Sequence, residues 1–464
     1  MTDTSQKSPP IKLSHYLSYG LYRGFELLLR PLPIKVVCVI GGILGSISQF
    51  LLPSRKRIVI RNLRIAYGDR LSLPEIHTMC NHTYWNVGAN LLASLRANYM
   101  SDDELNRCVE ADGLENLRNA REKDSGLILL LAHMGSWETM VQTPSITALF
   151  SPFSALYRPL ANPLLDKLVK RRREQTNVKL FSKRDGFFTP IAHLKEKGGL
   201  GAFTDQNARD HGISVPLFGK LTSLTSLPAL LHRRTGAPII PVSMSTISNG
   251  KWRVRIHPAI EIPDSDKSNA ALVTSHCARN FEIMMTESPT DVLWMHHYWK
   301  GGRKRPLEIS GIRKEKNALL MEAPTKPFNL LIFAGDIPIN EPEALAQLHR
   351  LKHYRPDINI TLVSEHLTSP DVDHRIPMIA TEPPHIVANA IRKHDLEMQT
   401  PIDCALDFTK QAQGNTILKL SGISPIFSMS GKHIGLATKA LFKDSSQHNL
   451  TGFLNSLGMK GKQD

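Results

Sequence analysis

A histidine followed five positions later by a glutamate, His133-Met-Gly-Ser-Trp-Glu138, is the sharpest chemical signal in this chain. It begins where a purely apolar run, Gly126 to Ala132, ends, and that run has the length of one buried strand. Ligands of open α/β sheets bind beyond the carboxyl ends of the strands, so the pair is placed for chemistry rather than for packing. A short turn would bring the carboxylate back to the imidazole. A glutamate that accepts from one ring nitrogen fixes the tautomer and stabilises the imidazolium, leaving the other nitrogen as a general base near neutral pH. His133 and Glu138 are therefore the expected catalytic pair, able to activate a substrate hydroxyl without a protein nucleophile. Ser136 lies between them, but a nucleophile elbow needs G-x-S-x-G and the closing glycine is missing here. No second histidine or carboxylate stands at H-E-x-x-H spacing from His133, so no metal is expected; no organic cofactor is expected either. His296 and His297 are adjacent, point in different directions and are expected to be ordinary interior or rim histidines.

The elements that must position this pair alternate. Short strands are read at Gly126–Ala132, Gly199–Phe203, Pro238–Met244 and Trp252–Ile256, with helical stretches at 162–175 and 190–197 between them. An amphipathic helix is expected from about Pro74 to Met100. The fold class is α/β: a domain with a central mixed sheet flanked by helices, carrying an N-terminal membrane-associating helix and followed by a smaller Rossmann-like α/β domain. The expected boundaries are a leader over 1–30, a main domain over 31–306, a basic polar linker over 307–327 and the second domain over 328–464. That last part opens with strand Leu330–Phe333, the turn Ala334-Gly-Asp336, a helix with apolar positions Ala344, Leu345, Leu348 and Leu351, and strand Ile358–Val363.

Charge is distributed unevenly between the two parts. The first 327 residues hold 44 basic and 28 acidic side chains, whereas Phe328–Asp464 holds 13 and 14, so the whole excess of positive charge lies in the N-terminal part. That part is expected to meet something anionic. Basic stretches without interleaved aromatics and without a recognised motif make nucleic acid a poor candidate. Five scattered cysteines with no C-x-x-C pair argue against a disulfide framework and for a reducing compartment. Val36 to Pro53 carries no charge, close to the minimum of about 18 residues for crossing a bilayer. It is rich in glycine and serine and flanked by Arg23, Arg30, Lys35, Arg55, Lys56 and Arg57, which suits an interfacial anchor over anionic lipid, about 36–52, better than a spanning helix.

The residues also resemble a known family. His133-Met-Gly-Ser-Trp-Glu138 is similar to the His-x4-Asp/Glu signature of glycerolipid and lysophospholipid acyltransferases, and in particular of the lipid A biosynthesis (lauroyl and myristoyl) acyltransferases of Gram-negative bacteria. Further stretches resemble that branch in order: Arg57-Ile-Val-Ile-Arg61-Asn62-Leu63; Tyr157-Arg158-Pro159 with Asn162-Pro163-Leu164; Thr204-Asp205-Gln206-Asn207 with Val215-Pro216-Leu217-Phe218-Gly219; and Trp294-Met295-His296-His297 with Arg303-Lys-Arg305-Pro306. Residues 207–212 depart from the family's usual acidic and glycine-rich continuation, which leaves the acceptor preference open. The resemblance implies transfer of a fatty acyl chain from acyl carrier protein to a hydroxyl of a lipid A precursor, at the cytoplasmic face of the inner membrane, without an acyl-enzyme. It implies that Arg158, Asp205 and Trp137 bind substrate, Arg158 on a lipid phosphate and Asp205 on the acceptor or a basic partner. The oxyanion donors would be backbone amides of the turn Met134–Trp137 or Arg158. The basic cluster around Lys170, Arg171, Arg172 and Arg173, with Lys167, Lys179, Lys183 and Arg184, would dock the acidic carrier protein or the lipid phosphates.

From Phe328 onward, Ala334-Gly-Asp336 with Tyr354-Arg-Pro356 and Asp403-Cys-Ala-Leu406-Asp407 resembles the N-terminal half of lipopolysaccharide heptosyltransferases. With only 137 residues there, the resemblance implies a degenerate accessory module. Two other readings stand beside the main one: acylation of another phospholipid or glycolipid acceptor, and a non-catalytic lipid-binding scaffold.

Overall fold

The computed structural model describes residues 11–175, 178–182, 188–300, 307, 324–337, 341–355, 357–379, 381–409, 412–423, 425–428, 454 and 457. Lys183, Arg184, Arg303 to Pro306 and most of 307–327 lie outside the described residues. The chain divides into two compact units that do not follow a single cut in the sequence. One comprises Met1–Val59, His77–Gln206 and Ser226–His296, the other Ile60–Ile76, Asn207–Thr225 and His297–Asp464.

The first unit is built on a seven-stranded mixed sheet. Its strands are β1 (Val109–Asp112), β2 (Leu127–Leu131), β3 (Phe153–Tyr157), β4 (Lys179–Ser182) and β5 (Gly199–Phe203). The hairpin β6 (Ile213–Leu217) and β7 (Lys220–Leu224) follows in sequence, and β8 (Ile239–Ser248) and β9 (Lys251–Ile256) complete the sheet. The order is β1-β9-β8-β2-β5-β3-β4, with β9 antiparallel to β8 and the strands from β8 to β4 parallel. All five residues of β2 are buried because the strand is central and covered on both faces, which is why it reads as an unbroken apolar run instead of an alternating one. Leu127, Leu129 and Leu131 pack with Ile240, Val242, Met140, Phe150 and Phe153 on one face.

Four helices precede the sheet: α1 (Leu13–Leu29), α2 (Ile34–Leu51), α3 (Pro53–Tyr67) and α4 (Leu73–Ala97). Among the described residues, α2 is the one helix long and apolar enough to cross a membrane. It is nevertheless packed along one side, where Val37, Cys38, Gly41, Gly42, Gly45 and Gln49 are buried. The contact with α4 is backbone against backbone, since a Cβ on Gly88 would sit 2.2 Å from the Gly41 carbonyl oxygen and 2.8 Å from Gly45 Cα. The other side of α2 exposes Val39, Ile43, Leu44, Ile47, Phe50 and Leu51, and α1 exposes Leu13, Tyr16, Leu17, Leu21 and Leu28.

The second unit contains a five-stranded parallel sheet of β10 (Phe328–Gly335), β11 (Ile358–Ser364), β12 (His374–Pro377), β13 (Cys404–Asp407) and β14 (Ile426–Ser428). The order β12-β11-β10-β13-β14 winds outward in both directions from its first strand, with apolar clusters on both faces. The expected smaller α/β domain is thus a parallel sheet of doubly wound order, and Asp336 is exposed just past β10. A buried ion-pair network holds three separate stretches of this unit together. Asp403 accepts from Arg61 at 2.6 Å, Lys220 Nζ at 2.7 Å and the Asn329 main-chain amide at 2.8 Å. Burial pushes the Lys220 ammonium below its ordinary pKa, and the Asp403 carboxylate opposes that push.

Candidate active site

Register places the chemistry. β2 and β5 are parallel neighbours with Leu131 opposite Phe203, so the residues two positions further on, His133 and Asp205, leave the sheet side by side. Asp205 Oδ1 lies 2.7 Å from His133 Nδ1, and Asp205 Oδ2 accepts the His133 main-chain amide at 3.1 Å. A carboxylate is an acceptor only, so in the neutral imidazole Nδ1 carries the proton and Nε2 presents its lone pair. The Asp205 side chain is fully buried while the imidazole keeps 17% of its surface exposed, the combination expected of a base that is held from behind and reached from the front. Phe203 lies 4.7 Å and Trp137 5.4 Å from the imidazole, centroid to centroid.

This corrects the expected pairing. The Glu138 carboxylate is held by Arg173, whose Nη2 reaches its two oxygens at 2.6 and 2.8 Å. The physical reason is the turn. Gly135 adopts φ +57°, a conformation suited to glycine, and its amide donates to the Asp291 carbonyl at 3.0 Å. A Cβ there would meet the Met244 carbonyl oxygen at 2.5 Å. The chain then enters the short helix Trp137–Met140, which carries Glu138 to the helix Pro163–Gln175. Glu138 still acts on the imidazole through its charge. Burial pushes the His133 pKa down, but the charge and hydrogen bond of Asp205, with the charge of Glu138, more than reverse this and leave it raised. Burial likewise pushes the Asp205 carboxyl up, and His133, by charge and by hydrogen bonds from its ring and its amide, overcomes it, leaving Asp205 below its ordinary value.

Two residues not anticipated at the site complete it. The Gln206 amide nitrogen lies 2.8 Å from His296 Nε2 and 3.4 Å from His133 Nε2, and the two imidazoles meet edge to face at 5.2 Å. Both lie in stretches that resemble the acyltransferase family, Thr204–Asn207 and Trp294–His297, and those stretches were the available signal; His296 was expected to be an ordinary interior or rim histidine. Ser136 is buried and hydrogen-bonds the Asn90 carbonyl and Thr139 Oγ1, not His133. Among the described residues no group of three or more His, Cys, Asp or Glu side chains is arranged to hold a metal ion.

The model of the bacterial lipid A biosynthesis acyltransferase family matches residues 6–301, well over half of the chain. The chain belongs to this family. It is an acyltransferase, and the lipid A acyltransferase domain so defined contains every site residue above. The lipid A biosynthesis palmitoleoyltransferase of Escherichia coli K12 is 25% identical over 285 residues, 61% of this chain and 90% of that protein. The lipid A biosynthesis lauroyltransferase of the same organism is 25% identical over 312 residues, 65% of this chain and 97% of its own length. A phosphatidylinositol mannoside acyltransferase of Mycolicibacterium smegmatis is 22% identical over 224 residues, 47% of this chain and 68% of that protein.

The remaining residues expected to bind substrate or carrier in this lipid A acyltransferase domain separate into two groups. Arg158 is exposed one residue past the end of β3, on the same edge of the sheet as His133. Lys167, Lys170 and Arg171 are exposed on the helix Pro163–Gln175. Arg172 and Arg173 are not available in the same way. Arg172 grips the buried Glu26 of α1 at 2.5 and 3.0 Å, and Arg173 holds Glu138, so the helical spacing that suggested one docking stripe turns these two guanidinium groups inward. His297 is exposed.

Proposed function

We propose that this acyltransferase moves a fatty acyl chain from the thioester of acyl carrier protein to a hydroxyl of a lipid A precursor. His133 acts as general base, Asp205 is the carboxylate that orients it, and no acyl-enzyme forms. The observation that carries this reading is the bidentate grip of Asp205 on the ring and main-chain N–H groups of His133, which leaves the lone pair of the neutral, partly exposed ring on Nε2. The acceptor hydroxyl gives its proton to Nε2 as its oxygen attacks the thioester carbonyl; the tetrahedral oxyanion collapses, the C–S bond breaks, and the departing sulfur takes the proton back from His133. Glu138 keeps a supporting part, as a charge near the imidazole anchored through Arg173. The named relatives in Escherichia coli support lipid A as the acceptor. The Mycolicibacterium relative favours a second reading, in which the acceptor is another anionic glycolipid.

The test is transfer from radiolabelled lauroyl-acyl carrier protein to tetra-acylated lipid A in detergent, run beside a phosphatidylinositol mannoside acceptor. Labelled lipid A formed by the wild type and lost in His133→Ala is expected; label on the mannoside alone would move the second reading ahead.

The apolar sides of α1 and α2, flanked by Arg55, Lys56 and Arg57, suit attachment to the anionic cytoplasmic face of the inner membrane. Flotation with vesicles containing anionic lipid should therefore recover the protein. Replacing Arg55, Lys56 and Arg57 together by Glu should release most of it at moderate salt, each charge near the surface contributing about 1 kcal/mol. Equal flotation of the triple variant would remove the electrostatic part of this attachment.

A further inference from the structure

We propose that the side-chain amide of Gln206 donates to the oxyanion formed in acyl transfer, and that His296 is the positioning residue that holds this amide in place. The inference rests on the reading of His133 as the base. Consecutive residues at the end of β5 reach opposite nitrogens of one imidazole, Asp205 on Nδ1 and Gln206 beside Nε2. The primary amide nitrogen has two N–H groups fixed in a plane. One donates to His296 Nε2 at 2.8 Å and anchors the group. The other faces His133 Nε2 at 3.4 Å, the long end of hydrogen-bonding range, so that contact is weak and readily surrendered when substrate arrives.

The place this second N–H occupies is the one the reaction needs. A hydroxyl handing its proton to Nε2 must sit about 2.6–3.2 Å from it. The carbonyl carbon under attack lies about 3 Å beyond that hydroxyl, so the carbonyl oxygen falls within reach of a donor that itself lies beside Nε2. Gln206 is exposed, hence open to a thioester. Two of the turn amides that might compete are already engaged, Met134 with the Ala132 carbonyl and Gly135 with the Asp291 carbonyl. His296 is suited to its part: its amide donates to the Leu293 carbonyl at 3.0 Å, which fixes the segment that carries it. Burial, together with the charges of His133 and Arg55 and against that of Asp205, keeps its imidazole below the ordinary pKa and therefore an acceptor at neutral pH. The bond changes are those of the transfer itself: as the hydroxyl oxygen bonds to carbon, the carbonyl π pair moves to oxygen, and the Gln206 N–H stabilises the resulting charge until the C–S bond breaks.

The experiment compares full-length wild type with Gln206→Ala, Gln206→Glu, His296→Ala, His296→Gln and the Gln206→Ala/His296→Ala double variant, each first shown to melt like wild type. Two readouts are taken with lauroyl-acyl carrier protein: transfer to tetra-acylated lipid A, and slow hydrolysis with water as acceptor, which builds the same oxyanion. Gln206→Ala is expected to lower kcat about 10²–10³-fold in both, with KM and the pH at which activity rises unchanged. Gln206→Glu, which cannot donate and adds a negative charge, should lose at least as much. His296→Ala should resemble Gln206→Ala and add little to it in the double variant, while His296→Gln, which restores an acceptor, should recover much of the rate. A kcat loss under about threefold in Gln206→Ala, a change confined to KM, or a shifted pH profile would overturn the inference while His133→Ala remains inactive. If His133→Ala keeps wild-type turnover, or the wild type turns over neither acceptor, the reading of the base falls and the inference falls with it.

Discussion

Asp205→Asn is expected to lower acyl transfer about 10²–10⁴-fold with the fold intact, whereas Glu138→Gln should cost about tenfold or less. The difference follows from what each carboxylate holds. Asp205 accepts both the ring and the main-chain N–H of His133, and an Asn there can turn its own N–H toward Nδ1 and stabilise the wrong tautomer. Glu138 touches Arg173, and only its charge reaches the imidazole. A pH profile separates the two effects further. The groups that face His133 are Asp205, Glu138 and His296, and the net result is a raised pKa. With His133 as the proposed base the neutral imidazole is the active form, so activity is expected to rise with pH through that raised value. Removing the Asp205 charge lowers the pKa, so the rising limb of the residual activity should move to lower pH, and Glu138→Gln should move it the same way by less. The measurement is kcat/KM for the three proteins across the histidine range. Near-normal activity in Asp205→Asn together with collapse in Glu138→Gln would return the orienting role to Glu138.

The largest expected loss of stability lies in the second unit, at Asp403. Its carboxylate is buried between Arg61 and Lys220 and also accepts the Asn329 amide. Asp403→Ala strands the Lys220 ammonium, whose side chain is 3% exposed, and should cost about 3–5 kcal/mol in denaturant unfolding. Replacing the buried pair together, as Lys220→Met with Asp403→Leu, should cost less than Asp403→Ala alone, because the stranded Lys220 ammonium is gone and Arg61, which also loses its carboxylate, keeps a quarter of its side chain in solvent. Equilibrium urea unfolding followed by circular dichroism checks both. A single variant within about 1 kcal/mol of wild type would mean that water reaches the lysine when its partner is gone.

What could be read from the sequence was local. The unbroken apolar run of β2, the helical spacing before it, and the abrupt His133 at the strand end all follow from residue type and period, and each is where it was expected. The β-α-β opening after Phe328 was legible for the same reason. The carboxylate on His133 was not, because it is supplied across a parallel strand pair by a residue 72 positions away, while Glu138 was close in sequence and wrong in direction. The same limit applies to Arg172 and Arg173. As a helical stripe they read as a docking face, and only tertiary packing reveals Glu26 and Glu138 as their partners. Arg61 shows it at greater range, since its carboxylate lies 342 residues further on.

The glycine seam between α2 and α4 bears on what a bilayer could register through this protein. A rod that crosses a membrane is measured against the thickness of the hydrocarbon layer, and mismatch sorts it among membranes. A helix seated along one flank, with small residues inward and Val39, Ile43, Leu44, Ile47 and Phe50 outward, would offer lipid a strip whose area matters and whose length does not. Residence on a membrane would then follow headgroup charge and the looseness of lipid packing while ignoring thickness. In the proposed reaction both partners would then meet at the plane of one leaflet, the lipid arriving by lateral diffusion and the carrier from the water above it.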